Sequence, residues 1–227
     1  MRAMGSWEWI VFAVGLSVSF VIAGIVILKA IARQTQAKTN ERREALQKLN
    51  FRFTTKIDAE KSEQLDSVLS IQKLQGYSKK SLASGVYRDH PVQLLNLESI
   101  YFNGNIAVQI RQTVGLIPLN QSVPKMIITP KNVLHGLGEL FGSKSLSFPT
   151  HPDFSRKYTV KGQQLELIED FMTPQVLEFF EARPGIFWAV SKNTLLYFNS
   201  QKELYSFHEI ERFLKRGTRL ASHLNKS

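Results

Sequence analysis

Apolar and polar positions fall into three regimes along the chain. From Trp9 to Leu28 (WIVFAVGLSVSFVIAGIVIL) no residue carries a formal charge. At 1.5 Å per residue this run reaches about 30 Å as a helix, the thickness of a bilayer's hydrocarbon core. Residues 29–50 are polar, rich in Lys, Arg, Gln and Ala, and contain neither Gly nor Pro, a composition that favours helix. Beyond Phe51, apolar residues recur with helical spacing in some stretches and alternate in others, as packed helices and half-buried strands do.

Within that third regime, Leu65, Val68, Leu69, Ile71 and Leu74 predict an amphipathic helix over 58–75, with Gly76 as its stop. Strands are expected at Ser84–Arg88, Val92–Phe102 and Ile106–Leu116. Asn103-Gly104 marks a tight hairpin, since both residues tolerate positive φ, and His90-Pro91 separates the first strand from the second. Further strands are expected at Pro124–Thr129 and Phe154–Val160. Thr129-Pro130 and Thr173-Pro174 read as helix starts, with Thr as N-cap and Pro at the first helical position. Gly185–Val190 and Leu195–Phe198 form a second hairpin turning at Lys192-Asn193. Ser206-Phe207-His208-Glu209 is a capping box. It opens a last helix with the stripe Phe207, Ile210, Phe213, Leu214, Ala221 and Leu224, which Gly217 is expected to weaken. The expected fold class is α+β: an N-terminal transmembrane helix followed by an antiparallel sheet packed with several helices. The expected divisions are a short tail (1–8), the span (9–28), a basic juxtamembrane helix (29–50) and one cytoplasmic α+β domain (51–227).

Charge sharpens this picture. The chain has 227 residues and a formal net charge of +10. Eight Lys or Arg against Glu41 and Glu44 fall between Lys29 and Lys56, and five with no acid fall from Arg212 onward, so the body between them is almost neutral. Trp7 and Trp9 suit one headgroup boundary, and Lys29 and Arg33 the other. The cations that follow the span predict a single-pass protein of the inner (plasma) membrane with its C-terminal domain in the cytoplasm. They also predict attraction to anionic lipid headgroups. Ala30-Ile31-Ala32 matches a signal-peptidase pattern, but the apolar run exceeds an h-region and Lys29 intervenes, so the segment reads as retained. Gly15, Ser19 and Ala23 give a face of small residues through which two spans could associate as a homo-oligomer.

Candidate chemistry is sparse. There is no cysteine, hence no disulfide, thiol nucleophile or cysteine-ligated metal. No G-x-S-x-G, H-E-x-x-H or phosphate-cradling glycine loop is present, and no cofactor is expected. His151-Pro152-Asp153 could place a base beside an orienting carboxylate, yet it reads more simply as a capped surface turn. Glu166, Glu169 and Asp170 read as the solvated side of a helix. Aromatics in the strands lack interleaved cations, so nucleic acid is not an expected partner. Trp188, a large residue whose indole N–H needs a partner, is a candidate for a binding surface, together with Arg212, Lys215, Arg216 and Arg219 of the last helix.

The motifs Val123–Pro130 (VPKMIITP), Phe148–Ser155 (FPTHPDFS), Tyr158–Gly162 (YTVKG) and Phe171–Pro174 (FMTP), with the strands around Ser84–Tyr87, resemble a family of uncharacterised, membrane-anchored bacterial proteins built on a domain of unknown function. The resemblance runs from about Leu49 to Leu224 and implies a bacterial inner-membrane protein without an assigned activity. The expected function is a non-catalytic binding or scaffold domain held at the cytoplasmic face of a membrane, with the bilayer and a protein as partners. A hydrolase using His151 and Asp153, or a lipid-binding domain, is the alternative.

Overall fold

The computed structural model describes residues 6–70, 74, 76–104, 106–131, 145–182, 185–199 and 202–225, with the backbone alone for 6–20, 101 and 103. Among these residues the order of elements is α1 (Ser6–Lys48), β1 (Arg52–Thr54), α2 (Ala59–Leu69), β2 (Ser78–Tyr87), β3 (His90–Asn103), β4 (Ile106–Pro118) and β5 (Met126–Pro130). Then come α3 (Pro152–Lys157), β6 (Tyr158–Gly162), α4 (Leu165–Phe171), α5 (Pro174–Glu181), β7 (Phe187–Ser191), β8 (Thr194–Phe198) and α6 (Phe207–Leu224). The strands form one antiparallel sheet in the order β1-β2-β3-β4-β8-β7-β5-β6. The α+β class follows directly.

Alternation along the strands sends successive side chains to opposite faces. On one face Leu94, Ile117, Ile128, Trp188 and Tyr197 join Ala45 and Leu46 at the end of α1 and the buried sides of α3 to α6. On the other, Leu95, Leu97, Val114, Phe187 and Phe198 are covered by Leu65 and Leu69 of α2. The paired aromatics of β7 and β8 are thus divided between two cores, with Phe187 stacked on Phe198 at 4.8 Å and Trp188 on Tyr197 at 5.2 Å.

Several boundaries differ from expectation for identifiable reasons. Helix α2, capped by Asp58 accepting from the Lys61 N–H at 2.7 Å, ends at Leu69; residues 71–73 and 75 of the expected helix lie outside the described residues. The first hairpin turns at Arg88-Asp89, with φ of 51° and 63°, and His90-Pro91 belongs to β3. Pro91 is tolerated there because β4 pairs with β3 only from Gln93 onward, so the missing N–H falls on an unpaired edge. The next loop is one residue later than expected, with Asn103 opposite Ile106 and Gly104 at φ 61°. Phe154–Lys157 is helical: Pro152 opens α3, Asp153 sits in its first turn, and Arg156 and Lys157 in its last, charges that suit the helix dipole. Pro130 pairs with Tyr158 in the sheet, and the helix expected after it falls on residues 132–144, outside the described residues. Thr173-Pro174 does open α5, but the threonine side chain makes no capping bond.

Two local signals hold in detail. Lys192 and Asn193 turn the β7–β8 hairpin at φ 49° and 53°, a conformation that disfavours side chains by about 1 kcal/mol per residue. Asn193→Gly is therefore expected to raise the thermal unfolding midpoint, and a lowered midpoint would contradict the turn geometry. The capping box is complete: the Ser206 hydroxyl accepts from the Glu209 N–H, and the Glu209 carboxylate accepts from the Ser206 N–H. Ser206→Ala is expected to lose about 1 kcal/mol, measurable by urea unfolding. Gly217 lies buried on the inner side of α6, where its bare backbone admits the Tyr197 ring; it is a packing contact, not a weak point.

Helix α1 is 43 residues long. Its last turns dock through the buried Arg42, Ala45 and Leu46, while Val21, Ile22, Ile25 to Leu28 and Ile31 stand exposed. Among the described residues no helix is long and apolar enough to cross a membrane. Most of the run Trp9–Leu28 falls on residues 6–20, whose side chains lie outside the description.

Candidate functional site

Strands β3 and β4 carry polar residues amid apolar neighbours: Asn96 in LLNLE, and Gln112-Thr113 between Arg111 and Val114. Buried polar groups require partners, and the end of α1 supplies one. Arg42, 2% exposed, donates from Nη1 to the Leu204 carbonyl at 2.7 Å and to Thr113 Oγ1 at 3.1 Å. The Thr113 hydroxyl also accepts from the Leu204 N–H at 3.0 Å and donates to Asn96 Oδ1 at 2.8 Å, which uses its full capacity. Asn96 in turn donates to Glu203, and so does the Tyr205 hydroxyl.

Of these, Arg42, Asn96, Glu203 and Tyr205 line a cleft of about 320 Å³ between α1, the β2–β3–β4 surface and the segment before α6. Lys38 lies over the Tyr205 ring at 5.4 Å. Glu98 bridges Lys80 and Arg111, at 2.8 Å to each. Thr35, Thr39, Thr55 and Ser81, with the apolar Phe53 and Leu97, complete the lining. The cleft brings together four cations and two carboxylates, and the Nε and Nη2 of Arg42 have no partner among the described residues. Burial pulls the Arg42 guanidinium down to about 10, against the raising field of Glu203, so it remains charged at neutral pH. Burial also lifts the Tyr205 phenol, which the Glu203 carboxylate lifts further. The phenol therefore stays a donor.

Burial pushes the Glu98 carboxyl up, but the hydrogen bonds and charges of Lys80 and Arg111 outweigh it and hold the group below its ordinary value. Its folded form thus binds protons less readily than its unfolded form. The stability it contributes is present above the unfolded carboxylate range near pH 4.3 and is lost as pH falls through the lower folded value. Glu98→Gln is expected to flatten the acid limb of the stability curve, measured as unfolding midpoints between about pH 6 and pH 3. An unchanged slope would dismiss the bridge.

The residues singled out from sequence lie elsewhere. Lys29, Arg33 and Ala23 are exposed on α1, and the side chains of Trp7, Trp9, Gly15 and Ser19 lie outside the described residues. Trp188 is 1% exposed and sits in the main core against Phe179, Phe180 and Tyr197. It cannot line a surface groove, because its strand is central and the α5–α6 layer covers it. Arg212 and Arg219 are exposed on α6, Arg216 is half-buried, and Lys215 pairs with Glu211 at 2.8 Å. His151 and Asp153 do not face one another: His151 Nδ1 meets Thr150 Oγ1 at 3.1 Å, while Asp153 pairs with Arg156. Glu166, Glu169 and Asp170 are exposed on α4. No cluster of metal-ligating side chains occurs among the described residues. Arg42 escaped sequence reasoning, counted as one more juxtamembrane charge; the mid-strand Asn96 and Thr113 were the signal that something polar had to meet them.

No protein-family model matches the chain, and no curated protein matches it in sequence. In structure it is similar to the crystal structure of the mycobacterial trehalose monomycolate transport factor A, TtfA, with a TM-score of 0.55 and 11% identity, covering 83% of this chain and 93% of that one. At that identity the likeness is one of fold.

Proposed function

We propose that the chain is a single-pass membrane-anchored, non-catalytic binding protein whose cleft at Arg42 takes an anionic group. The span is Trp9–Leu28, with Trp7, Trp9, Lys29 and Arg33 at its two boundaries and the α+β body in the cytoplasm. The observation that carries the binding reading is the Arg42 guanidinium, charged, buried behind the cleft, and with Nε and Nη2 unpartnered among the described residues. A buried donor left without a partner is unfavourable by about 1–3 kcal/mol. An incoming phosphate or carboxylate would offset that penalty through charge-assisted hydrogen bonds. The anchoring reading is supported by the uncharged run and by the exposed apolar side chains from Val21 to Leu28.

The test uses the full chain in neutral detergent micelles. Inorganic phosphate or short-chain phosphatidylglycerol, at a hundredfold excess over Kd, is expected to stabilise it by about 2.7 kcal/mol, read as a raised unfolding midpoint. Stabilisation by phosphatidylglycerol but not by phosphate identifies a headgroup, and the reverse identifies a free anion. Arg42→Gln is expected to abolish the shift whatever its own midpoint. An anion-dependent shift that persists in Arg42→Gln, or none in the unaltered chain, overturns the assignment.

A further inference from the structure

The β3–β4 hairpin outruns its neighbours. Strand β2 last pairs with β3 at Glu98, and β8 joins β4 only from Val114. Beyond the Glu98–Arg111 row the ribbon stands two-stranded out to Asn103 opposite Ile106. From Ser99 to Ile110 (SIYFNGNIAVQI) it carries no charge. Ile100 is 58% exposed, Phe102 75% and Ile106 69%. The register places Ile100 and Phe102 on one face and Ile106 on the other, so both sides of the tip are apolar. A ribbon with two uncovered apolar faces is not a stable arrangement in water.

Helix α1 leaves the body in the same direction. Leu46 belongs to the core with Leu94, Arg42 meets the Thr113–Asn96 row, and Thr35, Lys38 and Thr39 share the cleft with Glu98 and Arg111. Descending α1 therefore follows ascending β3. From the Glu98–Arg111 row to the tip is five residues, about 17 Å of strand. The same distance along α1 from Lys38 is about eleven residues, which reaches Ile27, inside the uncharged run. Lys80 and Arg111, paired with Glu98, stand at the base of the ribbon, about 17 Å from its tip.

We infer that the β3–β4 hairpin is a second membrane contact: its tip, Ile100 to Ile106, enters the same leaflet as the apolar run of α1, at the level of the acyl boundary. The inference rests on α1 lying in a bilayer. Two contacts, one helix and one ribbon, fix the body's orientation relative to the bilayer.

Because the chain has no cysteine, single labels can be placed without background. Full-length Phe102→Cys, Ile27→Cys and Asn193→Cys proteins, each carrying an environment-sensitive fluorophore, are reconstituted in phosphatidylcholine vesicles with a minority of phosphatidylglycerol. The Phe102 label is expected to emit at shorter wavelength and to lose most of its intensity to brominated acyl chains. The Ile27 label should behave likewise, whereas the Asn193 label, at the opposite turn, should be quenched only by aqueous iodide. A lipid-exposed Ile27 label with an iodide-quenched Phe102 label overturns the hairpin contact and leaves the anchor standing. Aqueous quenching of both overturns the anchor as well. A Phe102 label shielded from iodide and bromolipid alike means that protein covers the tip, which also overturns the inference.

Discussion

Trp188→Ala is expected to destabilise the protein by about 3–5 kcal/mol, the range for removing a large aromatic side chain from a packed core. Trp188 lies edge-on to Phe179 at 5.8 Å and Phe180 at 5.6 Å, and stacks on Tyr197 at 5.2 Å. Removing the indole strips all three rings of a neighbour at the junction of β7, β8 and α5. Its Nε1 has no partner among the described residues, so Trp188→Phe sheds an unsatisfied N–H along with part of the volume and should lose much less. Urea unfolding of both variants provides the measurement. A loss below about 1 kcal/mol for Trp188→Ala would be that of a surface residue, and would restore Trp188 as a candidate for the binding surface.

The second large effect concerns the pair of glycines that enclose Tyr197. A Cβ on Gly115 would stand 2.4 Å from the Tyr197 ring, and one on Gly217 would stand 2.1 Å from it. Both are far inside contact distance, and the ring is held by Trp188 on one side and Phe213, at 4.4 Å, on the other. Overpacking of this kind typically destabilises by about 1–3 kcal/mol. Gly115→Ala should show the full effect. Gly217→Ala sits in a helix and recovers about 1 kcal/mol of intrinsic propensity, so it should be the milder of the two. In a Tyr197→Leu background the clash is gone, and Gly217→Ala should turn neutral or stabilising. That change of sign is the test, read as a coupling energy in a double-mutant cycle. Additive effects would mean that Tyr197 does not occupy the gap.

Much of the fold was legible from the chain because its signals are local. A capping box, two hairpin turns and the alternation of strands β3, β4, β7 and β8 each depend on residues within a few positions of one another. The misreadings share a cause. The strand expected at Phe154–Val160 begins only at Tyr158, because Pro152 and the charges around it initiate a turn of helix that runs to Lys157. His90-Pro91 looked like a break because proline removes a donor; the sheet accommodates it where that donor would have faced no neighbour.

The candidate site was hardly legible at all. Arg42 bonds to Thr113, 71 positions away, and to Leu204, 162 positions away. Nothing near Arg42 in the chain distinguishes it from Lys38 or Arg43, which stay outside. The sequence by itself determined the element types, the two faces of each strand, the uncharged run and the segregation of charge to the two ends. Only the tertiary structure decided which cation is buried, that Trp188 is core, and that the β3–β4 ribbon extends past the sheet. The reason is that burial and exposure follow from strand register and from the relative lengths of paired neighbours. Those are set by contacts between segments far apart in sequence, which no local pattern encodes.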